Sequence, residues 1–126
     1  MSRRPVVTDE APAAIGTYSQ AVEVDGMVFL SGQIPLHPAT MEMEEGDMRA
    51  QVERVFDNLQ AVARASGGDL DRIVKLTVYL TDLGDFGTVN KVMADRFSEP
   101  YPARAAVQVA ALPKGARVEV DAILRL

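Results

Sequence analysis

Two charged residues near the end of the chain carry the strongest signal for chemistry. Arg104 lies in PARAAVQVAALP and Glu119 in ARVEVDAIL, and both segments otherwise read as buried strands. A charge removed from water costs about several kcal/mol unless a partner or a ligand compensates it. A guanidinium among small residues can clamp a carboxylate, and a carboxylate beside apolar surface can hold and polarise a water. More commonly, such an arginine forms a structural or inter-subunit salt bridge, and Glu119 would pair with Arg117 on the sheet surface.

Further polar groups occur at strand ends and on a helix. Tyr18 supplies a phenol, and Ser31 and Gly32 supply a hydroxyl and an accessible backbone N–H at the end of a strand. Taken singly, these residues are more typical of turns and strand ends. Asn90 lies beside the apolar stripe of a predicted helix, where a buried amide must be satisfied. The sequence leaves open whether Asn90 ties down a loop or lines a pocket.

The composition excludes several kinds of site. The chain has no cysteine and one histidine, so thiolate sites, cysteine nucleophiles and multi-histidine zinc centres are excluded. A site made only of carboxylates would favour magnesium or calcium. We expect no resident metal, and we expect His37 to be an exposed turn residue without a chemical role.

Length and charge narrow the class of protein. A chain of 126 residues is expected to form one domain, 1–126. With 13 basic and 18 acidic residues the net charge is -5, which opposes binding to phosphate backbones and argues against a nucleic-acid partner. Neither an apolar leader nor a stretch of about 20 apolar residues is present. We therefore expect a soluble cytoplasmic protein with no membrane association.

The elements that must position these residues follow from periodicity and turn signals. Asp25-Gly26 separates two apolar-rich runs and predicts a β-hairpin. IVKLTVYLT predicts a strand with Val74, Leu76, Val78 and Leu80 on one side and Ile73, Lys75, Thr77 and Tyr79 on the other. Two further strands are predicted at 103–110 and 117–124, joined by a Pro-Lys-Gly turn. Two helices have apolar stripes, formed by Met48, Val52, Val55, Leu59 and Val62 in one and by Phe86, Val89, Met93 and Phe97 in the other.

The resulting order is strand, strand, helix, strand, helix, strand, strand. This predicts an α+β fold whose mixed sheet is covered by two helices on one face. The uncovered face is too apolar for water, so we expect a homo-oligomer. A hairpin centred on Pro113-Lys114 would place Glu119 opposite Gln108, about 13 Å from the level of Arg104. We therefore expect any shared site to be completed across a subunit boundary or by a bulge.

The chain resembles the Rid family (RidA/YjgF, reactive intermediate deaminases). The segments that carry the resemblance are IGTYSQAV, VFLSGQIPL and PARAAVQVAALPKGARVEVDAI, which lie in one register over essentially the whole chain. The resemblance implies a homotrimer of chorismate-mutase-like subunits, with sheets forming a central barrel and clefts between neighbours. It also implies hydrolysis of 2-imino acids such as 2-iminopropanoate and 2-iminobutanoate, without a cofactor, to 2-oxo acids and ammonia, which detoxifies these intermediates.

The resemblance also assigns roles to residues. Arg104 matches the family arginine that clamps the substrate carboxylate, and Glu119 matches the glutamate that positions the attacking water. Residues that line the cleft match Tyr18, Ser31, Gly32 and Asn90. Ala106 stands where many members have a cysteine, and its backbone N–H could meet a carboxylate. Thr17 replaces a common proline, and the loop TMEMEEGD is unusual in its methionines and acidic residues, which bears on substrate range.

Two other functions remain open at this point. The same cleft could bind 2-oxo acids without turnover, as a sensor or interaction module, because binding needs Arg104 whereas catalysis also needs Glu119. Ribonuclease activity or inhibition of translation is attached to parts of the family. The negative charge and the absence of a basic stripe with interleaved aromatic residues give RNA chemistry little support.

Overall fold

Six strands form one mixed sheet in the computed structural model, which describes residues 2–126. The strands are β1 (Arg4–Val6), β2 (Ala21–Val24), β3 (Met27–Gln33), β4 (Ile73–Leu80), β5 (Ala103–Gln108) and β6 (Val118–Arg125), and the helices are α1 (Met48–Ala65) and α2 (Phe86–Arg96). The order across the sheet is β1-β2-β3-β6-β4-β5. Strands β4 and β5 run parallel, and the other neighbouring pairs run antiparallel. The predicted α+β class is confirmed, whereas the short strand β1 was not predicted.

The hairpin between β2 and β3 forms where the sequence predicts it. Asp25 and Gly26 have φ values of 53° and 78°, and Val24 pairs with Met27 across the turn. Two consecutive residues with positive φ give the turn a twist that matches the flanking strands. The hairpin leads β3 to the point where Ser31 and Gly32 meet the last strand.

Helix α1 packs the predicted stripe against the sheet. Asp47 caps its first turn by accepting from the backbone N–H of Ala50 at 2.9 Å. All five predicted stripe residues are buried. The helix ends at Ala65, and Gly67 then adopts a φ of 102° while Gly68 donates to the Ala63 carbonyl at 3.0 Å. A glycine with positive φ just beyond the last turn is a common way to end a helix.

The two helices share one core on one face of the sheet. Val89 and Met93 of α2 are buried in the same cluster as α1 and the inner side of β4. The opposite face, which we call the open face, exposes large apolar side chains. Phe29 of β3 is 43% exposed and Val107 of β5 is 40% exposed. The apolar open face that the sequence predicts is therefore present, while its burial in an oligomer stays a prediction.

The predicted pairing of the last two strands is wrong. Strand β4 lies between β5 and β6, so Glu119 pairs with Tyr79 and Gln108 pairs with Leu80. The Pro-Lys-Gly segment still reverses the chain, with Lys114 at a φ of 57°, but it carries the chain past the end of β4. Sequential strands often pair, yet here β4 offers both of its edges to later strands.

A register shift changes the start of β4. Between Ile73 and Lys75 the pairing with β6 is irregular, and Ile73 is buried while Val74 is 45% exposed. The alternation predicted for the two residues is therefore reversed, because one extra residue in a strand moves the preceding side chains to the other face. From Leu76 onward the predicted inner side is buried as expected.

Candidate active site

A cavity of about 590 Å³ lies where β3 ends and the antiparallel strand β6 begins. Four of the predicted site residues line it: Tyr18, Ser31, Gly32 and Glu119. The rest of the lining is mostly apolar and includes Ile15, Ile34, Leu36, Met41 and Pro113, with Lys114 as an added cation. A concave site with apolar walls and a few convergent polar groups has the form of a small-molecule site. We call the residues that line this cavity, with Glu119 among them, the glutamate half.

A bulge in β3 brings Gly32 against Glu119. Leu30 pairs with Ala122 and Gln33 with Val120, so two residues of β3, Ser31 and Gly32, stand opposite one residue of β6. A Cβ atom at position 32 would lie 2.8 Å from the Cδ atom of Glu119 and would collide with its carboxylate. The absence of a side chain at Gly32 therefore leaves room for the Glu119 carboxylate in its observed position, and any larger residue there would displace it.

The electrostatic surroundings of Glu119 favour its protonated form. Burial, followed by the negative charge of Asp121, raises the pKa of the Glu119 carboxyl. Asp121 itself accepts a hydrogen bond from the Tyr79 hydroxyl at 3.0 Å, which raises the pKa of Tyr79. No cation among residues 2–126 forms an ion pair with Glu119, so the predicted alternative of a pair with Arg117 is not realised. Arg117 pairs with Asp85 instead.

Internal hydrogen bonds hold the other polar groups of the glutamate half. The Ser31 hydroxyl donates to the Ser19 carbonyl at 2.6 Å, and the Tyr18 hydroxyl accepts from the Ile15 backbone N–H at 3.4 Å. Tyr18 is 54% exposed, so its ring borders the cavity mouth. These bonds fix the strand end beside the segment that carries Tyr18, and the polar groups therefore have defined positions before any ligand binds.

Arg104 lies at a different place, on the helix side of β5. It pairs in register with Leu76, a buried residue of the inner face, and it shares that face of β5 with Ala106, as the strand parity predicts. Its guanidinium donates to the Asn90 side-chain oxygen at 2.9 Å, lies 3.5 Å from the Met93 sulfur, and stacks over the Phe86 ring at 4.6 Å from the centroid. No carboxylate among residues 2–126 pairs with it. A structural salt bridge within the chain is therefore excluded for the described residues.

A shallow hollow of about 400 Å³ surrounds this arginine. Its lining includes Asn90, Met93, Tyr101 and Arg104, which we call the arginine half. Asn90 is exposed and lines the hollow, so the expectation that its amide is buried is wrong. Ala106 is half-buried and packs against the core on the same side of β5. The arginine half presents an exposed, oriented cation with donors that are free to meet an anion.

The two halves do not meet within one chain. Glu119 pairs with Tyr79 on the open face, whereas Arg104 pairs with Leu76 on the helix face. The structure therefore brings together Tyr18, Ser31, Gly32 and Glu119, and separately brings together Asn90 and Arg104. The separation follows from the alternation of side chains along β4. Leu76 and Tyr79 are an odd number of residues apart, so they and their partners lie on opposite faces.

Sequence reasoning missed two amides that organise the glutamate half. Gln20 is 4% exposed, and its amide nitrogen donates to the carbonyls of Thr8 and Pro12 at 3.0 and 2.8 Å. Asn58 is fully buried and donates to the Leu36 carbonyl at 2.9 Å. Asn58 carried a signal, since it lies three residues after Val55 on the apolar side of α1. Gln20 carried no such signal, because a position just before a strand does not distinguish a buried glutamine from an exposed one.

The described residues offer no ready metal site. No group of three His, Asp or Glu side chains within residues 2–126 lies close enough together to hold an ion. In the same part of the chain, no helix combines the length and apolar character needed to cross a membrane.

Comparison with known proteins identifies relatives over nearly the whole chain. The model of the family described as Endoribonuclease L-PSP matches residues 8–125. Protein DfrA of Myxococcus xanthus is 59% identical over 125 residues, which cover 98% of this chain and 95% of that protein. The 2-iminobutanoate/2-iminopropanoate deaminase of Mus musculus is 46% identical over 121 residues, which cover 96% of this chain and 90% of that protein.

Solved structures have the same fold. RidA from the Antarctic bacterium Psychrobacter sp. PAMC 21119 superposes with a TM-score of 0.94 at 56% identity, covering 98% of this chain and all of that one (100%). E. coli TdcF, solved with bound serine, superposes with a TM-score of 0.90 at 40% identity, covering 98% of each chain. Shared sequence and shared fold over this length establish that the chain belongs to the Rid (RidA/YjgF) family.

Proposed function

We propose that this protein hydrolyses small 2-imino acids, and their enamine tautomers, to 2-oxo acids and ammonia. The observation that carries the proposal is the half-buried Glu119 in a largely apolar cavity, unpaired within residues 2–126 and with a raised pKa. Relatives named 2-iminobutanoate/2-iminopropanoate deaminase, at about 45% identity, support the same reaction.

The reaction asks little of the protein beyond positioning and proton transfer. Water adds to the imine carbon to give a carbinolamine, and the nitrogen then leaves as ammonia while the hydroxyl oxygen becomes the carbonyl of the 2-oxo acid. In this proposal Glu119 accepts a proton from the attacking water and returns it to the departing nitrogen. A carboxyl group whose pKa is raised by burial is a stronger base than an ordinary carboxylate, which favours the removal of a proton from water.

Arg104 holds the substrate carboxylate in this proposal, and it comes from a second copy of the chain. Both halves lie on opposite faces of one sheet, while the open face is apolar and the guanidinium lacks a carboxylate partner among residues 2–126. A homotrimer in which the glutamate half of one copy faces the arginine half of the next satisfies all three observations. A closed ring of three copies would contain three equivalent sites.

A complementation experiment tests both the reaction and the shared site. Ammonia release is measured with freshly generated 2-iminopropanoate and 2-iminobutanoate, which we expect the wild type to hydrolyse. We expect Arg104→Ala and Glu119→Gln each to lose this activity when assayed alone. When the two inactive variants are unfolded and refolded together in equal amounts, about a quarter of the interfaces receive an intact half from each copy, so about a quarter of the activity returns.

The outcomes separate the alternatives. Activity that does not return on co-refolding, from mixed assemblies shown to form, means that each copy acts alone. A wild type that accelerates no imine hydrolysis but binds 2-oxobutanoate is a binding module, and Glu119→Gln then binds as well as the wild type. Glu119→Gln with full activity removes the proton-transfer role.

A further inference from the structure

A small hairpin of residues 34–44 forms one side of the cavity mouth. Leu36 and Met43 form an antiparallel bridge, and the His37 backbone N–H donates to the Glu42 carbonyl at 2.9 Å. The Met41 backbone N–H donates to the His37 carbonyl at 2.8 Å, which closes the turn. The turn residues are 38–40, so Met41 closes the loop just before Glu42, and its side chain lines the cavity that contains Glu119.

Met41 occupies this position at a backbone cost. Its φ is 61°, in the left-handed region that residues with a side chain rarely adopt. A glycine would occupy the same conformation without that cost. A strained residue at the mouth of a candidate site suggests that its side chain has a function there.

The hairpin is held firmly enough to fix where that side chain lies. Buried Asn58 of α1 donates to the carbonyls of Leu36 and Ile34 at 2.9 and 3.4 Å. His37 Nε2 lies 3.1 Å from the Glu44 carboxylate across the base of the hairpin. With its base tied to a helix and its turn closed, the hairpin holds Met41 over the cavity.

We propose that Met41 sets the upper size limit for the apolar side chain of the 2-imino acid. The inference rests on the proposed function and extends it to the substrate class. Ile15, Ile34 and Leu36 line the same cavity and give it an apolar wall, so a hydrocarbon side chain is the group that this wall can bind. The cavity of about 590 Å³ is larger than an imino acid of three or four carbons needs.

Methionine is suited to set a limit of this kind. Its unbranched thioether side chain fills irregular apolar space and contacts hydrocarbon groups of several shapes. Small imino acids leave Met41 in place, whereas branched or aromatic ones must compete with it for the apolar wall. Met43 provides a matched control, because it lies in the same hairpin and is not part of the cavity lining.

The test compares four proteins on two substrates. For the wild type, Met41→Ala, Met41→Gly and Met43→Ala, kcat/KM is measured with 2-imino-4-methylpentanoate and with 2-iminopropanoate. We expect the ratio of the two values to rise about tenfold in both Met41 variants, the low end of what one methylene of fit changes. Met43→Ala should leave the ratio unchanged.

The two Met41 variants separate side-chain volume from backbone freedom. Alanine removes the thioether but keeps the cost of positive φ, whereas glycine removes both. A higher ratio in both variants supports a size limit set by the side chain. A higher ratio in Met41→Gly alone, an equal rise in Met43→Ala, or no change in either Met41 variant overturns the proposal.

A binding measurement keeps this inference distinct from the proposed function. Calorimetric titration of the same four proteins with 2-oxopropanoate and 4-methyl-2-oxopentanoate gives a Kd ratio that needs no turnover. If the wild type hydrolyses no imine but the Kd ratio shifts toward the larger acid in both Met41 variants, the deaminase proposal fails and the size limit stands. If neither hydrolysis nor binding occurs, both proposals are wrong.

Discussion

The glutamate half and the arginine half of the site are built in different ways. Around Glu119, a bulge and a glycine bring the strand end against the carboxylate, and a 2.6 Å hydrogen bond holds Ser31 to the Ser19 carbonyl within the same chain. Around Arg104, one amide, one sulfur and one aromatic ring orient an exposed guanidinium beside an open hollow. The first half is preorganised for chemistry, and the second presents a charge.

This difference shows which part of the site tolerates change. Groups that transfer protons must be held closely, since an error of about 1 Å can cost about 100-fold in rate. A cation that binds a carboxylate gains most from its charge and from its two-pronged geometry. A small steric change in the glutamate half should therefore lower kcat strongly. In the arginine half, activity should depend mainly on which cationic side chain is present.

The largest effect is expected from adding one methyl group at position 32. In Gly32→Ala the new Cβ would collide with the Glu119 carboxylate, which must move away from its position. Because the end of a flexible side chain can yield, we expect the fold to persist while kcat falls about 100-fold. Imine hydrolysis and thermal unfolding of the same samples measure the two effects.

Gly87→Ala is the matched control for this change. Nothing lies within 4 Å of a Cβ added at Gly87, which lies in α2, so activity should be retained. A Gly32→Ala protein as active as the wild type would show that the position of the Glu119 carboxylate is not critical, and the contrast between the two halves would lose its basis.

A smaller effect is expected from exchanging the cation of the arginine half. Arg104→Lys keeps the positive charge but replaces a planar fork of donors by a single ammonium. The loss of one charge-assisted hydrogen bond to the substrate carboxylate should lower kcat/KM about tenfold, mainly through KM. Steady-state kinetics with 2-iminobutanoate measures it, and Arg117→Lys, an exposed arginine paired with Asp85, serves as control. A fall in kcat alone would mean that Arg104 acts in the chemical step.

The elements of the fold were predictable because each depends on a local pattern. Asp25-Gly26 fixed the first hairpin, and the apolar periodicity of 48–62 fixed the buried side of α1. The order of strands was not predictable in the same way, because no local sequence pattern in β5 or β6 indicates that β4 lies between them. The incorrect prediction that Glu119 lies opposite Gln108 arose because the position of β4 between the last two strands could not be predicted.

The membership of the site was easier to predict than its geometry. Tyr18, Ser31, Gly32 and Glu119 do line one cavity. Their contact depends on the bulge after Leu30, which pairs two residues with one and has no signature in SGQ. The structural role of Gln20 could not be predicted for a similar reason, because its hydrogen-bond partners belong to a loop without regular structure.

The next expected effect is on the stability of the glutamate half. Gln20→Ala removes an amide that bonds both the backbone N–H and the carbonyl of Thr8, at 2.8 and 3.0 Å. The same amide also bonds the buried carbonyls of Ala11 and Pro12, so leaving these groups unsatisfied should lower the free energy of unfolding by about 1–3 kcal/mol. Urea denaturation measures the loss, and Gln51→Ala, which removes one exposed hydrogen bond of 3.3 Å to the Gly46 carbonyl, should change the free energy of unfolding by less than about 0.5 kcal/mol.

Hydrogen exchange should localise that change. Amides of residues 8–20 should exchange faster in Gln20→Ala, while those of 86–104 around the arginine half keep their wild-type rates. Equal acceleration in both regions would show that the halves form one cooperative unit, in contrast to the independent construction proposed above.

The smallest expected effect is the change in stability with pH that the ionisation of Glu119 causes. Burial first, and Asp121 second, raise the pKa of this carboxyl in the folded protein. A raised pKa means that the folded protein binds the proton more tightly than the unfolded chain. The associated stability is therefore full below the unfolded pKa, near 4, and is lost as pH rises through the folded pKa.

Glu119→Gln keeps the side chain neutral at every pH. Its Tm should therefore exceed that of the wild type at pH 7, and the difference should shrink toward pH 4, whereas exposed Glu45→Gln should show no such trend. Thermal unfolding at both pH values measures it. A Glu119→Gln protein less stable than the wild type at pH 7 would mean that a cation compensates the ionised carboxylate. Arg104 of a neighbouring copy is the cation that the proposed assembly would bring there, so that result would couple the two halves directly through charge rather than through the substrate.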